Sequence, residues 1–278
     1  MVAQQVVKNS VVTADPDVAE IEKLGKPDDI AAFLSRRGWW TADILELFGQ
    51  TSITELSLSK TLSTSSFMAP ATVLGAFLRP PMGFECLQTL SLSRASLSLK
   101  DIACLRMLPC IKALDLAATH LTTQHLLHLA THADTLERLN IAMNPTIDDD
   151  ARVPLSALGQ LRTISLRDTS ITLPCLRLLV YSLPQVCRFM TLPSATLEYL
   201  NSRTRRYSVQ IPQDYCSDPR QIPELNVAAL KRNLELHRRS NSDITITGSK
   251  VEMVTRLSGI LCNRVADEKI ASRVGRLK

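Results

Sequence analysis

The chain has 278 residues, of which 45% are hydrophobic and 21% charged, a balance that suits a soluble globular protein of one or two domains rather than a disordered one. Its formal charge is +5, and its nine glycines are dispersed, the nearest pair being Gly75 and Gly83. That dispersion excludes the Gly-rich phosphate loops of both the dinucleotide and the Walker type, each of which needs glycines within a few residues.

Residues 1–26 carry Asp15, Asp17, Glu20 and Glu22 and no long apolar core behind a basic start. They read as a flexible N-terminal arm, not as a secretory or transit signal. Over 27–50, Ile30, Phe33 and Leu34 and then Ile44, Leu45, Leu47 and Phe48 fall at helical spacing, with Trp39 and Trp40 between the two helices. These helices are expected to cap the segment C-terminal to them, the tryptophans covering its open edge rather than forming a binding hot spot.

From 51 to 200 one pattern recurs: Ile53-x-x-Leu56-x-Leu58, Leu87-x-x-Leu90-x-Leu92, Ile111-x-x-Leu114-x-Leu116, Leu136-x-x-Leu139-x-Ile141, Leu161-x-x-Ile164-x-Leu166 and a decayed Val186-x-x-Phe189-x-Thr191. From the second copy on, successive starts lie 111−87 = 24, 136−111 = 25, 161−136 = 25 and 186−161 = 25 residues apart. The last two apolar positions of each copy are two apart, so they share one face of a strand and point into a core. Three places further on stand Thr61, Ala95, Thr119, Asn144, Thr169 and Ser194, five of the six carrying a small hydrogen-bonding side chain that can serve a turn. Leu97-Ser98, Leu121-Thr122, Ile147-Asp148 and Ile171-Thr172 then place a helix N-cap residue behind an apolar one. This resembles the leucine-rich repeat family, the longer ribonuclease-inhibitor-like kind. The resemblance implies an α/β solenoid with a curved parallel sheet and convex helices. Between Lys60 and Arg79 lie eighteen uncharged residues, but six are Ser or Thr and one is Pro70, so an elongated first repeat broken by Pro80 and Pro81 is expected and no membrane span.

Several clusters within the repeats invite chemistry and do not sustain it. His125, His128 and His132 occupy one side of an expected helix, but Leu126 and Leu129 mark its buried stripe, so the histidines read as an exposed polar flank and not a metal site. Asp148, Asp149 and Asp150 lack the spacing and turn glycine of a calcium loop and suit a helix start. Seven cysteines without a Cys-x-x-Cys pair read as buried thiols of a reducing compartment. No catalytic motif is present, and no cofactor or metal is expected. The alternating strand residues are instead expected on a concave face: Ser57, Ser91, Asp115, Asn140 and Ser165 at one level, Arg138, Thr163 and Arg188 at another, Arg167 beside them. Asp115, Arg138, Asn140, Arg167 and Arg188 are the candidate contacts for a protein partner.

Residues 201–224 hold Arg203, Arg205, Arg206 and Arg220 with three prolines and read as a basic linker. Residues 201–278 carry 15 basic and 8 acidic side chains, 15−8 = +7, against −3 for 1–50 and +1 for 51–200. Such localised charge fits an acidic partner, nucleic acid above all. Val227, Leu230 and Leu234 fit one helix. Ser249-Lys250-Val251-Glu252 opens another as a capping box, with the extended run Asp243 to Thr247 before it. Residues 225–264 thereby resemble the SAP motif, a small DNA-binding module, followed by a basic tail at 265–278. The resemblance implies that Gly248, Lys250 and Arg256 approach a phosphate backbone, supported by Lys231, Arg232, Arg238 and Arg239. The link between the helices is longer than is usual for that family, and its Arg-Gly-Leu-like end of the first helix is absent.

The expected function is a non-enzymatic, intracellular adaptor, nuclear in preference to cytoplasmic. Its repeats would bind a protein and its C-terminal module DNA or RNA. The alternative is a protein–protein scaffold or substrate receptor that binds no nucleic acid. A cullin-adaptor box in the N-terminal helices is the other thinkable arrangement, but no residue pattern there matches one.

Overall fold

The computed structural model describes residues 18–21, 23–64, 73–78 and 83–275. Most of the expected N-terminal arm, the centre of the uncharged stretch with Pro70, Pro80 and Pro81, and the last three residues of the basic tail lie outside that set. The described elements are helices α1 (Val18–Ile21), α2 (Pro27–Arg37) and α3 (Ala42–Phe48), strand β1 (Glu55–Ser57), α4 (Ser59–Thr64), β2 (Thr89–Ser91), α5 (Leu99–Cys104), β3 (Ala113–Asp115), α6 (Thr123–Leu126), β4 (Arg138–Asn140), α7 (Arg152–Ser156), β5 (Thr163–Ser165), α8 (Leu173–Ser182), β6 (Arg188–Thr191), α9 (Ser194–Asn201), α10 (Val227–Arg238) and α11 (Lys250–Arg273).

The six strands form one parallel sheet in the order β1-β2-β3-β4-β5-β6. Every strand therefore pairs with its sequence neighbours, which is the topology of a repeat solenoid. Register follows the repeat: Leu56, Leu90, Leu114, Leu139, Ile164 and Phe189 stand opposite one another and are all buried. With Leu58, Leu92, Leu116, Ile141 and Leu166, each fully buried, they stack into one continuous core.

Strands β2 to β5 each leave through a strained turn. Arg94, Ala118, Met143 and Asp168 adopt positive φ of 64°, 55°, 59° and 54°. A left-handed conformation costs an L-residue roughly 1–2 kcal/mol. What offsets it is that the turned N–H continues the inter-repeat ladder, from Arg94 to the Ala117 carbonyl (2.8 Å), Ala118 to Ala142 (2.9 Å) and Met143 to Arg167 (2.7 Å). The following residue then secures the turn. Thr119 and Thr169 donate their hydroxyls to the Leu116 and Leu166 carbonyls at 2.6 and 2.8 Å. Two of the six expected positions do otherwise, because the chain enters a helix there: the Thr61 hydroxyl is buried inside α4 without a hydrogen-bond partner, and Ser194 is the exposed first residue of α9. Ser98, Thr122, Asp148 and Thr172 all stand at N-cap positions, Ser98 with a reciprocal capping box to Asp101.

The convex segments are shorter than ideal amphipathic helices, and this corrects the reading of the histidines. After α6 the chain tightens into a 3₁₀ turn over Leu127–His132. At three residues per turn His132 rotates off the expected outer flank, while His125, inside α6, is turned in as the capping partner of Thr122 and His128 stays half-buried. His125 and His132 are 8% and 3% exposed, and the Nδ1 of His125 accepts the Thr122 N–H at 3.0 Å. The cysteines depart from expectation as well: Cys104, Cys175, Cys187 and Cys216 are buried, but Cys86 and Cys110, outside the helices, and Cys262, on the outer side of α11, are exposed.

At the N-terminal end, α2 packs along β1 and supplies side-chain partners to its backbone. Asp28 accepts the Thr54 N–H at 3.2 Å and Ser35 that of Ser57 at 3.4 Å. Trp40 is 1% exposed, stacks edge-on against Phe48 with centroids 5.0 Å apart, and donates its indole N–H to Ser35. At the other end, α9 and the returning C-terminal segment cover β6. Val274 bridges Phe189 in parallel fashion, and the Gly275 N–H donates to the Phe189 carbonyl at 2.9 Å.

Residues 201–224 are not an extended spacer. Tyr207, Cys216 and Ile222 are buried, the last two in a second core with Leu230, Leu234, Ile244, Met253, Leu257 and Leu261. Helix α11 runs unbroken across the boundary expected at 264, because its apolar stripe continues to Ile270, which belongs to the solenoid core. One helix thus serves both cores.

Candidate functional site

Between the inward strand positions, two rows of side chains face the concave side in register. The first reads Glu55, Thr89, Ala113, Arg138, Thr163, Arg188 along the sheet, and the second Ser57, Ser91, Asp115, Asn140, Ser165, Thr191. Of the candidates, Asp115, Arg138 and Asn140 come together on a shallow groove of about 290 Å³ over β2–β5. The Asp115 carboxylate is held inside the row: it accepts from Asn140 Nδ2 at 2.8 Å, Ser91 Oγ at 3.2 Å and the Ala117 N–H at 3.2 Å. Arg138 is exposed and has no ion-pair partner among the described residues. Arg188, also exposed and likewise unpaired, lines a separate recess of about 830 Å³ with Arg203, Leu197 and Val274. Arg167 stands apart from both, one residue beyond the inward Leu166, with its Nε 3.3 Å from Asp168.

The basic C-terminal candidates divide into engaged and open groups. Arg232 donates to the Asp214 carbonyl and lies over the Tyr215 ring, 4.7 Å from its centroid. Arg238 faces Glu235 at 4.0 Å. Arg256 donates to the Thr245 and Thr247 carbonyls at 2.8 and 3.2 Å, so it fastens the link between α10 and α11. Lys231, Arg239 and Lys250 are exposed and without such partners among the described residues. Gly248 has φ 131°, and a Cβ there would meet the Glu252 carboxylate at 2.6 Å. The capping box itself requires that glycine: Glu252 accepts the Ser249 N–H at 2.7 Å, which holds its carboxyl below the usual range.

A third cluster escaped the sequence reading. Asp267 of α11 is fully buried and accepts from Arg177 of α8, Nε at 2.8 Å and Nη2 at 3.0 Å, and from the Tyr207 hydroxyl at 2.7 Å. Burial first, and then the bond to Asp267, pushes the Tyr207 hydroxyl pKa far up. Tyr199 accepts from the same guanidinium at 3.0 Å and stacks beneath it. The only available signal was a lone arginine in the apolar run Leu173–Ser182 and an aspartate next to the buried stripe of α11.

Titration bears on the same region. His237 of α10 is fully buried, its Nδ1 accepting the Ser208 N–H at 3.2 Å. Burial, with Arg264 adding repulsion, lowers its pKa to about 4. Burial also lowers His125 and His132. A folded-state pKa below the unfolded value means the unfolded chain binds the extra proton. Stability is therefore whole above about pH 6.5 and drains as pH falls toward 4. For His237 alone, a loss of about 2 kcal/mol between pH 7.5 and pH 5 is expected, read from urea midpoints, and His237→Asn should flatten that slope. A slope unchanged by the substitution would place the acid sensitivity elsewhere. Burial raises the thiols of Cys175 and Cys187 to about 11, which makes them poor nucleophiles.

Among the described residues, no group of three or more His, Cys, Asp or Glu side chains could hold a metal ion, and no helix is long and apolar enough to cross a membrane. Fold and surface together define a repeat solenoid with a polar concave sheet and an added helical segment at its C-terminal end. No protein-family model matches the chain, and no curated protein matches it in sequence. Among solved structures, a chain in the crystal structure of the Rad7 and Elc1 complex in yeast is similar, with a TM-score of 0.45 and 17% identity. That similarity covers 86% of this chain and 52% of the other, so the chain spans about half the length of that neighbour.

Proposed function

We propose that the chain is a non-enzymatic interaction adaptor of the leucine-rich repeat type, whose concave sheet holds a protein partner. The observation that carries this reading is the register of the six strands, continuous from β1 to β5 and interrupted once, at β6, where Ser165 pairs Thr191 and Met190 is passed over. That register sets two ordered rows of polar side chains on one surface, with Arg138 and Arg188 unpaired within them among the described residues. Ordered backbone beneath such side chains lowers the entropy cost of a protein contact, since little has to be fixed on binding. Asp115 and Asn140 supply the hydrogen-bonding middle of that surface, and Arg167 contributes less because Asp168 already offsets its charge.

A second contact, to DNA or RNA, is proposed for the SAP-like C-terminal segment through Lys231, Arg239 and Lys250, on the strength of the +7 charge of residues 201–278. A nuclear site of action rests only on this second contact. The purely protein-binding alternative draws support from the internal engagement of Arg232, Arg238 and Arg256.

Full-length protein tests both. Arg138→Glu with Arg188→Glu should cost a co-purifying partner most of its occupancy while circular dichroism stays unchanged; retention of that partner would remove the concave site. For the second contact, binding of labelled duplex and single-stranded probes should weaken steeply with salt. The triple variant Lys231→Glu, Arg239→Glu, Lys250→Glu should flatten log K against log salt by about 2–3 units of slope. Absence of binding at low salt would leave the protein-binding scaffold alone.

A further inference from the structure

We infer that the concave face takes a polypeptide segment of divided charge, basic where it lies over β1 and acidic where it lies over β6. This rests on the reading of that face as protein-binding and adds the chemistry of the partner. The first concave row runs from a carboxylate at Glu55, through Thr89 and Ala113, to guanidinium groups at Arg138 and Arg188. Both ends are reinforced from outside the sheet. Over β1, a groove of about 520 Å³ is lined by Asp28 and Asp29 of α2 together with Glu55, and by no basic residue. Asp28 accepts the Thr54 N–H through one oxygen only, while Asp29 and Glu55 are exposed. Over β6, the recess of about 830 Å³ carries Arg188 and Arg203 with no carboxylate, beside the apolar Leu197 and Val274. In the middle, Asp115 and Arg138 line one groove, so neither sign dominates.

Opposite charges at the two ends of one ordered surface select against partners of a single sign. A nucleic acid laid along the row would bring its phosphates onto Asp28, Asp29 and Glu55, a like-charge penalty that a polypeptide avoids by changing sign along its length. Six strands at a spacing of about 4.8 Å span about 24 Å. That is the length of about sixteen helical residues or about seven extended ones.

The test uses sixteen-residue probe peptides of one fixed composition, half glutamate-rich and half lysine-rich, read by fluorescence anisotropy at low salt with the full-length protein. A peptide with its charges segregated into halves should bind about tenfold tighter than one with the same residues interspersed. Reversing one end, by Arg188→Glu with Arg203→Glu or by Asp29→Lys with Glu55→Lys, should remove that tenfold preference. Reversing both ends together should restore it, since the segregated peptide then binds turned end for end. Mere loss of folding or of general affinity could not produce that restoration. Equal binding of segregated and interspersed peptides, or no recovery in the fourfold variant, would overturn the inference. If that happens while Arg138→Glu with Arg188→Glu still strips the natural partner, only the charge pattern falls. If the partner is also retained, the protein-binding reading falls with it.

Discussion

Replacing Asp267 by alanine is expected to destabilise the protein by about 3–5 kcal/mol, the range for removing one member of a buried ion pair. Two consequences combine. The Arg177 guanidinium, whose side chain is 17% exposed, loses its carboxylate, and the buried Tyr207 hydroxyl loses its acceptor. The effect should also reach further than one contact. Helix α11 contributes Met253, Leu257 and Leu261 to the C-terminal core and Ile270 to the solenoid core, so loosening its middle uncouples the two. Urea unfolding should accordingly show a lower midpoint and a broadened or split transition, and trypsin should cut sooner among Arg203, Arg205 and Arg206. Arg177→Met combined with Asp267→Leu and Tyr207→Phe should recover most of the loss, because an apolar cluster leaves neither a charge nor an unpaired hydroxyl behind. A fall below about 1 kcal/mol for Asp267→Ala would show that water reaches the cluster and screens it.

The second large effect is expected at Asn144, which is fully buried. Its Oδ1 accepts the N–H groups of Thr119 (3.1 Å) and Leu121 (2.9 Å) in the preceding repeat. Its Nδ2 donates to the carbonyls of Leu116 (2.9 Å), Ile141 (3.0 Å) and Ala142 (3.1 Å). Alanine there would strand two buried amide donors, each worth about 1–3 kcal/mol when left unsatisfied, so a loss of roughly 3–5 kcal/mol is expected. The measurement is the urea midpoint, with hydrogen exchange at Thr119 and Leu121 as the local readout. Unchanged exchange at those two amides would mean the turn finds other partners.

Both sites show where sequence reasoning reaches and where it stops. The strand register was legible because side-chain direction alternates with a period of two and the repeat length is nearly constant, so Leu90, Leu114 and Leu139 could be aligned without coordinates. N-caps were legible because Ser98, Thr122, Asp148 and Thr172 each act within their own first turn. Asn144 was recognisable as a turn residue, but its reach into the repeat before it was not, since a pattern assigns a position and not a distance. The histidines were misplaced because two leucines three apart fit an α-helix and a 3₁₀ turn equally well, and the rotation between the two decides which side chains are buried. Arg177 and Asp267 are 90 positions apart and share no local pattern; only packing brings them together. On the concave face, the basic trend toward β6 was readable from the strands themselves. Of the acidic counterpart at β1 only Glu55 lies on a strand; Asp28 and Asp29 reach it from a helix that looked like a cap and nothing more.

That same helix has a bearing on how copies of the protein behave at high concentration. A parallel sheet that ends in bare strands is a template on which an identical sheet can dock, strand to strand, and so on into a filament. Here the Thr54 and Ser57 amides already bind Asp28 and Ser35, and the Phe189 carbonyl already binds Gly275. Among the described residues, both edges of the stack thus have backbone groups already engaged, which works against the strand-to-strand docking that linear polymerisation needs, and the surface across the strands is the better placed for recognition.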